Sequence, residues 1–545
     1  MIRYSLVVLG NVILSNDLSL IRKYTPKIIA PIPAIINNKQ TDCEKHQLHK
    51  KKCLVSSYTN ENTKSNNTRL LREVLLKNNT VFTQEEINAI AAPYLNQPIN
   101  PELFLELQDK LTQAYVDRGY FTSFVVIEGQ PSGGTLIFNA IEGIAIVNVN
   151  GSGIRDDYIK SKLEPFLDQP LQKERLGEGL SLLLIDPLVK NLQNTITPGD
   201  RLSESIINVN FVPQPKWNIG AEISNDENFT VGSWGIRGFI ENNNIAGGGE
   251  QFRAEYKVTE GLDRFVVGAT IPILPTRSRI ELTYQQSNSN IIDGFFKDFD
   301  IKNDSYVASF RFTQAIWQKF NESLDFSFGV DHRESQNFVL NDKLFSNVRL
   351  TAIRLDQTYI KRSAKSLAIV LSQFSIGLSN QEVDSTFFHW QGQGQYLYNF
   401  GIGQVFTRLA LQLTPQSLPN IEQCAIGGRN GNQFIFGNTV RGYTTNARTG
   451  DSCIAGTLEV RFPFYKTNDV EFSGFPFLDI GYVWNTRGGS ADPQTLVGTG
   501  VGVRLSYRDL LLIQTNYGFA LNDTNSGFDD LTQGLSFSVL GQFRF

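Results

Sequence analysis

The sequence predicts a membrane β-barrel of about sixteen antiparallel strands, preceded by two small α+β domains. From about Lys216 to Phe545, apolar and polar residues alternate in short segments. Alternation gives each strand one apolar and one polar face, because successive side chains point to opposite sides. Two stretches before Lys216 repeat each other, and the last strand ends on an aromatic residue. A soluble β protein can alternate in the same way, but the pattern favours a lipid-facing wall around a polar lumen.

The composition excludes several classes of protein. The chain has 545 residues, a net charge of -4 and 41% hydrophobic residues, and its mean hydropathy is -0.19. No run of about 18 apolar residues occurs, which excludes a helical membrane protein. Lys and Arg are dispersed along the chain, so nucleic acid is not an expected partner.

Residues 1–69 are predicted to form an N-terminal targeting and linker segment. Arg3 precedes a mildly apolar stretch from Leu6 to Leu14, which resembles a short signal peptide but lacks a clear cleavage site. From about residue 37 to 68, Asn, Lys, Thr and Ser dominate, as is typical of a flexible linker. The pair Cys43 and Cys53 in this linker could close a small loop in an oxidising compartment.

A duplicated module is predicted between the linker and the barrel. The segment 93–99 (PYLNQPI) parallels the segment 165–171 (PFLDQPL), and Glu102 recurs as Glu174 at the same offset. A register that is shared beyond the core motif favours duplication. The predicted domain boundaries are 70–143 and 144–213.

Each copy has the same predicted order of elements. In the first, a T-x-x-E capping box at Thr83 opens a short helix, and a second helix is stopped by Gly119. The strand order of the second copy stays open around residues 181–197. The predicted helices begin near residues 83, 101, 156 and 173, and the predicted strands are 121–127, 135–141, 144–149 and 205–211.

The barrel is predicted to span residues 214–545. An even number of strands lets the first and last pair antiparallel and close the sheet. Closure matters because an open edge in lipid would leave backbone groups unpaired. The predicted strands lie near 216–224, 230–240, 250–258, 264–271, 278–287, 304–313, 323–333, 345–361, 366–378, 388–399, 403–413, 454–463, 471–484, 496–507, 510–519 and 534–545.

The final strand shows the alternation most clearly. One face carries the polar residues Ser536, Ser538, Gln542 and Arg544, and the opposite face is apolar. The chain stops on an aromatic residue, which is typical of bacterial outer-membrane barrels. The apolar face consists of Leu535, Phe537, Val539, Gly541, Phe543 and Phe545.

A long loop of about residues 414–453 interrupts the barrel pattern, and loops of this length are usually functional or disordered. It contains Val440-Arg441-Gly442-Tyr443, and Asp479 lies inside an otherwise apolar strand two strands later. Arg can grip a carboxylate through two hydrogen bonds, so an Arg441–Asp479 pair could hold the loop in the lumen. Taken alone, the residues favour the simpler alternative of a solvated Arg441 and a lumen-lining Asp479.

Two further cysteines, Cys424 and Cys453, border this loop. They either form a disulfide that closes the loop or remain as two free thiols. No cysteine lies in a C-x2-C pair of the kind that binds zinc, and the sequence predicts no metal site and no cofactor.

These features together resemble the two-partner secretion transporters, the TpsB branch of the Omp85 superfamily that includes the ShlB/FhaC/HecB haemolysin secretion/activation proteins. The resemblance covers residues 70–545. The motifs that carry it are VRGY (Val440, Arg441, Gly442, Tyr443), F-x-D-x-G (Phe477, Asp479, Gly481) and the terminal Phe543 and Phe545. Gly119-Tyr120 and Glu142-Gly143 also resemble the first POTRA domain of that family.

The resemblance implies two periplasmic POTRA domains and an outer-membrane barrel whose 440–443 loop folds into the pore, with Arg441 paired to Asp479. It implies export of a secreted exoprotein partner, a TpsA-like haemolysin or adhesin, without nucleotide hydrolysis. Outer-membrane lipid and the barrel assembly machinery are the other implied partners, with Phe543 and Phe545 as the assembly signal. The family often has a signal peptide and a pore-plugging N-terminal helix, and residues 1–69 match neither well.

Three alternatives differ in class. A barrel insertase or protein import pore of the Omp85 type usually carries more POTRA domains than two. A passive porin explains the strands but neither the duplicated module nor the VRGY motif. An enzyme is not expected, because no nucleophile elbow, phosphate loop or HExxH motif is present.

Overall fold

The computed structural model describes residues 69–129, 133–273, 277–380, 385–429, 439–489, 494–522 and 534–545. The predicted targeting segment and linker, with Cys43 and Cys53, lie outside the described residues except for Arg69. The described chain forms two compact units, of which one ends at Gln214 and the other begins at Pro215. Within those ranges, no helix is long and apolar enough to cross a lipid bilayer.

The first unit begins with a three-stranded sheet that is covered by two helices. The central strand β3 pairs in parallel with β1 and antiparallel with β2. The sequence prediction missed β1, because its short apolar run has no alternation and only the distant pairing with β3 fixes it as a strand. The elements are β1 (Glu73–Lys77), α1 (Gln84–Ala91), α2 (Pro101–Asp117), β2 (Phe124–Ile127) and β3 (Thr135–Ile141).

Local sequence signals set the start of α1 and the end of α2. The side chain of Thr83 accepts from the main-chain N–H of Glu86, whose carboxylate accepts in return from Thr83, so the predicted capping box is present. Helix α2 ends just before Gly119, whose φ of +88° only glycine adopts without strain. Leu107 and Leu111 of α2 are fully buried in the core with Phe138 of β3, and burying each such side chain stabilises the fold by about 1.5–3 kcal/mol.

A second sheet in the same unit has the same topology. Its central strand β6 pairs in parallel with β4 and antiparallel with β5, which repeats the strand order of the first sheet. The strand β5 lies in the stretch whose strand order the sequence left open, since few of its residues are apolar. The elements are β4 (Ile144–Asn150), α3 (Asp156–Leu163), α4 (Lys173–Leu184), β5 (Val189–Pro198) and β6 (Glu204–Pro213).

The second unit is a closed barrel of sixteen strands, so the predicted fold class is confirmed. The strands are β7 (Trp217–Ser224), β8 (Gly235–Asn242), β9 (Gln251–Thr259), β10 (Leu262–Ile273), β11 (Ser278–Asn290), β12 (Lys302–Gln318), β13 (Glu322–Val339), β14 (Lys343–Arg362), β15 (Ser366–Ser379), β16 (Thr386–Asn399), β17 (Gln404–Leu413), β20 (Ser452–Lys466), β21 (Val470–Trp484), β22 (Thr495–Tyr507), β23 (Leu511–Ala520) and β24 (Leu535–Arg544). A short hairpin of β18 (Cys424–Ile426) and β19 (Arg448–Gly450) lies between β17 and β20.

The last strand closes the barrel against the first. β24 pairs antiparallel with β7, and the terminal Phe545 exchanges two main-chain hydrogen bonds with Trp217, at 2.9 and 3.0 Å. The side chains of Phe543 and Phe545 are exposed, as expected for the face that meets lipid. Every strand in the cylinder therefore has two partners, which leaves no open edge.

The two faces of the wall differ as the alternation predicts. On β14, Ile353 and Leu355 are exposed on the outside, whereas Arg354 and Asp356, which alternate with them, are buried on the inside. The outside therefore presents aliphatic and aromatic side chains, and charged residues line the lumen. This arrangement is typical of outer-membrane barrels.

Candidate functional site

The described residues of the loop between β17 and β20, 414–429 and 439–451, pack against the inner face of the barrel wall and are called the lumen loop below. Its Ile426, Val440 and Tyr443 form one buried cluster with wall residues such as Val483 and Leu496. These wall residues alternate with exposed ones on the same strands, so they point into the lumen. The lumen loop is thus packed against the inner wall over β20, β21 and β22.

Arg441 of the lumen loop binds Asp479 of β21 through three hydrogen bonds. Its Nε donates to Asp479 Oδ2 at 2.6 Å, and its Nη2 donates to Oδ1 at 2.9 Å. The main-chain N–H of Arg441 also donates to Oδ2, at 3.0 Å. Both residues are fully buried. Two guanidinium nitrogens thus donate to the two carboxylate oxygens, which is the bidentate arrangement of a strong charge-assisted pair.

A second carboxylate completes the surroundings of Arg441. Its Nη1 donates to Glu459 Oε1 of β20 at 2.7 Å, and Glu459 Oε2 accepts from Arg461 Nη2 at 2.8 Å. The guanidinium carbon lies 3.5 Å from the ring centroid of Phe477, a cation–π contact. We call Arg441, Glu459, Phe477 and Asp479 the Arg441 cluster. Removing one partner of a buried pair costs about 3–5 kcal/mol, because it leaves an uncompensated charge.

Glycines on the wall and in the lumen loop allow their close approach. Gly442 has φ +96°, a conformation that glycine adopts at little cost. A Cβ on Gly518 of β23 would lie 2.5 Å from the main-chain nitrogen of Gly442, and a Cβ on Gly498 of β22 would collide with the carbonyl oxygen of Arg441. At Gly481 of β21, a Cβ would meet Val440 Cγ2 at 2.8 Å. The loop backbone therefore lies directly on a stretch of wall without side chains.

The phenol of Tyr443 fixes the other end of the VRGY segment. Its hydroxyl donates to the carbonyl oxygen of Val497 at 2.9 Å and accepts from the main-chain N–H of Asn522 at 3.3 Å. The ring is buried. All four residues of the motif thus contact the wall or the strands next to it.

The structure joins Cys424 to Cys453 as a disulfide. Their Cα atoms are 6.3 Å apart, which lies in the usual range for such a bridge. Cys424 begins the short strand β18, and Cys453 lies near the start of β20. The bridge therefore ties the lumen loop to the wall.

The POTRA-like motif residues lie at the junction of the two sheets of the first unit. The carbonyl oxygen of Gly119 accepts from the N–H of Lys173 at 2.9 Å, and that of Gly143 accepts from the N–H of Leu171 at 2.7 Å. The main-chain N–H of Tyr120 donates to the carbonyl oxygen of Tyr115 at 2.9 Å. These contacts are internal to the unit.

The remaining motif residue, Glu142, organises the core around Tyr115. Its carboxylate accepts from the main-chain N–H of Thr80 at 2.7 Å and from the Tyr115 hydroxyl at 3.1 Å. Burial of the phenol, and then the charge of Glu142, raise the pKa of Tyr115 well above its ordinary value. The phenol is therefore neutral in the folded domain.

Several residues of the site are absent from the sequence predictions. Glu459 alternates with apolar residues on β20, so it could have been found as a lumen-facing acid. The run Gly498-Thr499-Gly500-Val501-Gly502 places glycines on one face of a strand, which indicates a close backbone contact. Glu422, a fully buried acid of the lumen loop, has no local signal. In the part of the chain that the structure describes, no three His, Cys, Asp or Glu residues are grouped to hold a metal.

Comparison with known proteins identifies the family. Residues 203–505 match the sequence profile described as haemolysin secretion/activation protein ShlB/FhaC/HecB, and residues 70–143 match that of the POTRA domain, ShlB-type. The chain is 22% identical over 403 residues to the outer membrane transporter CdiB of Escherichia coli O6:K15:H31 (strain 536 / UPEC), which covers 68% of this chain and 67% of the relative.

Solved structures show the same fold. CdiB from Escherichia coli matches with a TM-score of 0.64 at 18% identity, covering 89% of this chain and 93% of that one. BamA from Haemophilus ducreyi lacking POTRA domains 1-3 matches with a TM-score of 0.52 at 12% identity, covering 87% and 100% of the two chains. The predicted resemblance is confirmed, because the family profile covers more than half of the sequence. The chain belongs to the haemolysin secretion/activation protein family ShlB/FhaC/HecB and is an outer-membrane transporter of the two-partner secretion type.

Proposed function

We propose that this transporter captures an unfolded exoprotein on two periplasmic POTRA domains, residues 70–143 and 144–213, and exports it through the barrel lumen. The exoprotein is a TpsA-like haemolysin or adhesin. Export proceeds without nucleotide hydrolysis, because folding of the exoprotein outside the cell prevents its return. The transporter itself catalyses no reaction in this scheme.

The single observation that carries the proposal is the lumen loop, which is bound inside a closed barrel through the Arg441 cluster. A chain that passes through this lumen has to displace the loop or slide past it. In the proposal, Arg441 and Asp479 hold the loop in position on the wall, and Val440, Gly442 and Tyr443 fit it to the wall surface. Phe477 and Gly481 complete the binding surface on β21.

The edge strands of the POTRA domains support the capture step. Among the strands that the structure describes, β5 of the second sheet pairs with β6 alone, so the other edge of this ten-residue strand offers main-chain groups to an extended peptide. Strand addition of this kind tolerates many sequences, because the main chain supplies the hydrogen bonds. Thr195 on β5 is exposed and lies on this strand.

The experiment places a photo-crosslinking amino acid at Thr195 in the full chain while the exoprotein is secreted. We expect a crosslink between Thr195 and the exoprotein. The control is the same amino acid at Lys160, an exposed residue of helix α3 in the same domain, which should give little crosslink. Equal crosslinking at both positions, or none at either, would contradict capture on the β5 edge.

Lipid and the barrel assembly machinery are the proposed partners during insertion. The exposed ring of Phe543 lies on the closing strand, and that of Phe545 directly follows it. An assembly factor can contact both rings before the barrel closes. Replacing both with Ser is expected to lower the amount of inserted barrel, whereas the loop variants discussed below should insert normally.

A further inference from the structure

A second buried ion cluster binds the other half of the lumen loop to a different part of the wall. Glu422 of the loop accepts from Arg354 Nη2 at 2.7 Å and from Arg354 Nη1 at 2.9 Å, in a two-pronged pair. Arg333 Nη1 lies 3.0 Å from the same carboxylate, and His389 Nε2 lies 2.8 Å from it. We call these four residues, together with Asp331, the Glu422 cluster.

The wall residues of this cluster come from β13, β14 and β16. In the strand register, Arg354 pairs with Ser375 of β15, and Ser375 pairs with His389 of β16. These side chains therefore form one transverse row, and the small Ser375 in its middle leaves room for the Glu422 carboxylate. The side chains of Glu422, Arg354 and His389 are fully shielded from solvent.

The charges of the cluster balance only when Glu422 is present. Arg354 Nε also donates to Asp331 at 3.1 Å, and Arg333 Nη2 donates to Asp331 at 3.4 Å. Two guanidinium groups thus face two carboxylates. Without Glu422, one buried guanidinium would lack a counter-charge, which is strongly unfavourable in a site shielded from solvent.

Neighbouring contacts hold the same part of the loop. Leu418 is buried against Leu350, Ala352 and Phe387 of the wall. Gln412 of β17 donates to the carbonyl oxygens of Glu422 and Asp451, both at 2.9 Å. The first half of the lumen loop therefore lies against β13–β16, and its second half lies against β20–β23.

We propose that Glu422 is a second positioning residue of the lumen loop, and that the lumen opens only when the Glu422 cluster and the Arg441 cluster both release. The two clusters have opposite polarity. At one, a loop arginine enters wall carboxylates, and at the other, a loop carboxylate enters wall arginines. Each half of the loop therefore has its own charge-matched site, which also prevents the two halves from exchanging places. The inference rests on the proposed function only in assuming that the loop controls the lumen.

The test is current recording on the purified full chain in planar lipid bilayers. E422Q keeps the size of the side chain and removes its charge. We expect the ratio of open to closed time to rise at least about tenfold, because one partner of a buried pair is lost. The matched control is E222Q on β7, since Glu222 also bonds to a wall arginine, Arg237 at 2.8 Å, but belongs to no loop. Its currents should equal those of the wild type.

A second measurement uses trypsin, which cleaves after Arg. Three arginines, Arg429, Arg441 and Arg448, lie between Cys424 and Cys453, so a cut after any of them separates the fragments only after the disulfide is reduced. In E422Q we expect fragments that appear on reduction alone and begin after one of these arginines, with little such cutting in the wild type or in E222Q.

Should E422Q fail to give a heat-modifiable folded band, H389Q is tested instead, because it removes one partner of Glu422 and keeps the carboxylate and both arginines in place. We expect H389Q also to raise the ratio of open to closed time and the trypsin cutting, but by less than E422Q. Wild-type currents and wild-type trypsin fragments in a folded E422Q or H389Q would overturn the inference. Neither measurement uses an exoprotein, so such a result would leave the proposed export untouched, and a failure of export would leave this test valid.

Discussion

The carbonyl oxygen of Arg441 fills the space in which a side chain at Gly498 would lie. Gly498 pairs with Asp479 in the register of β21 and β22. The cross-strand neighbour of the carboxylate that binds Arg441 is therefore a glycine. The loop arginine can therefore bring both its main chain and its guanidinium to Asp479. A Cβ at this place would collide with the carbonyl oxygen of Arg441, so the main chain of the loop could not approach Asp479 as closely.

Replacing Arg441 or Asp479 with Ala is expected to lower export of the exoprotein at least about tenfold, because each change removes a two-pronged partner from a buried charge. The barrel should still insert, since no strand pairing depends on the pair. Quantifying exoprotein in the medium, together with the heat-modifiable band of the barrel, checks both parts. R441K should behave like R441A, because lysine lacks the two-pronged fork. Normal secretion by both alanine variants would refute the role of the pair.

Gly498→Ala is expected to displace the lumen loop although it changes no charge. The new methyl group collides with the Arg441 carbonyl, and overpacking of this kind costs about 1–3 kcal/mol. Export should fall in the same direction as in R441A. Gly238→Ala on β8 is the control, because a Cβ there meets nothing within 4 Å. If the two glycine variants secrete the exoprotein equally well, the close approach of the loop to Gly498 is not needed for export.

The disulfide predicts the reactivity of Cys424 and Cys453. Alkylation of the folded protein without reductant should label neither residue, and mass spectrometry should find their peptides joined. The bridge closes a segment with a sequence separation of 29, so its loss is expected to destabilise the folded state by about 3–4 kcal/mol in the chain-entropy estimate. The C424S/C453S variant should keep the loop in the lumen, because both ion clusters remain. Labelling of either thiol before reduction would show that the bridge is absent.

The first POTRA domain is expected to lose stability as the pH rises above about 10. The pKa of Tyr115 is raised in the folded state by burial and by Glu142, so the neutral phenol is favoured there relative to the unfolded chain. The resulting stability is fully present below the unfolded pKa of about 10 and is lost as the pH rises through the folded pKa.

The measurement is thermal unfolding of the full chain in detergent from pH 8 to 11, followed by the helical circular dichroism signal. Y115F is expected to cost about 1 kcal/mol near neutral pH through the lost hydrogen bonds and to depend less on pH above 10. The pKa of Tyr94 is also raised by burial, so Y94F/Y115F should show still less dependence. A Y115F profile parallel to that of the wild type would assign the effect to other groups.

Much of the fold could be predicted because its signals are local. The sixteen strands follow from alternation, the start of α1 follows from the capping box at Thr83, and the end of α2 follows from Gly119. The strand β1 was missed because its five residues become a strand only through parallel pairing with β3, which is about 60 residues away. Likewise, β5 has too few apolar residues to be predicted as a strand from its sequence pattern.

The site was predictable only in part. Arg441 and Asp479 were named from their motifs, yet the residues alone favoured a solvated Arg441, since a sequence does not show whether a loop enters a lumen. Glu459, Gly498 and the whole Glu422 cluster were not predicted. Glu422 meets Arg354 across 68 residues of sequence, and nothing in its neighbourhood, Ile421-Glu422-Gln423, distinguishes it from a solvated acid.

The sequence by itself determined which residues form strands and which face of each strand is apolar, because both depend on neighbours within a few positions. Only the tertiary structure decided which lumen charges meet, since closing the sheet sets the register between strands and brings the described parts of the lumen loop against two separate parts of the wall. Buried charges must be matched wherever they come to lie, and that matching depends on the curvature and closure of the barrel. For this reason Arg441 and Glu422 pair with residues that are distant from them in sequence.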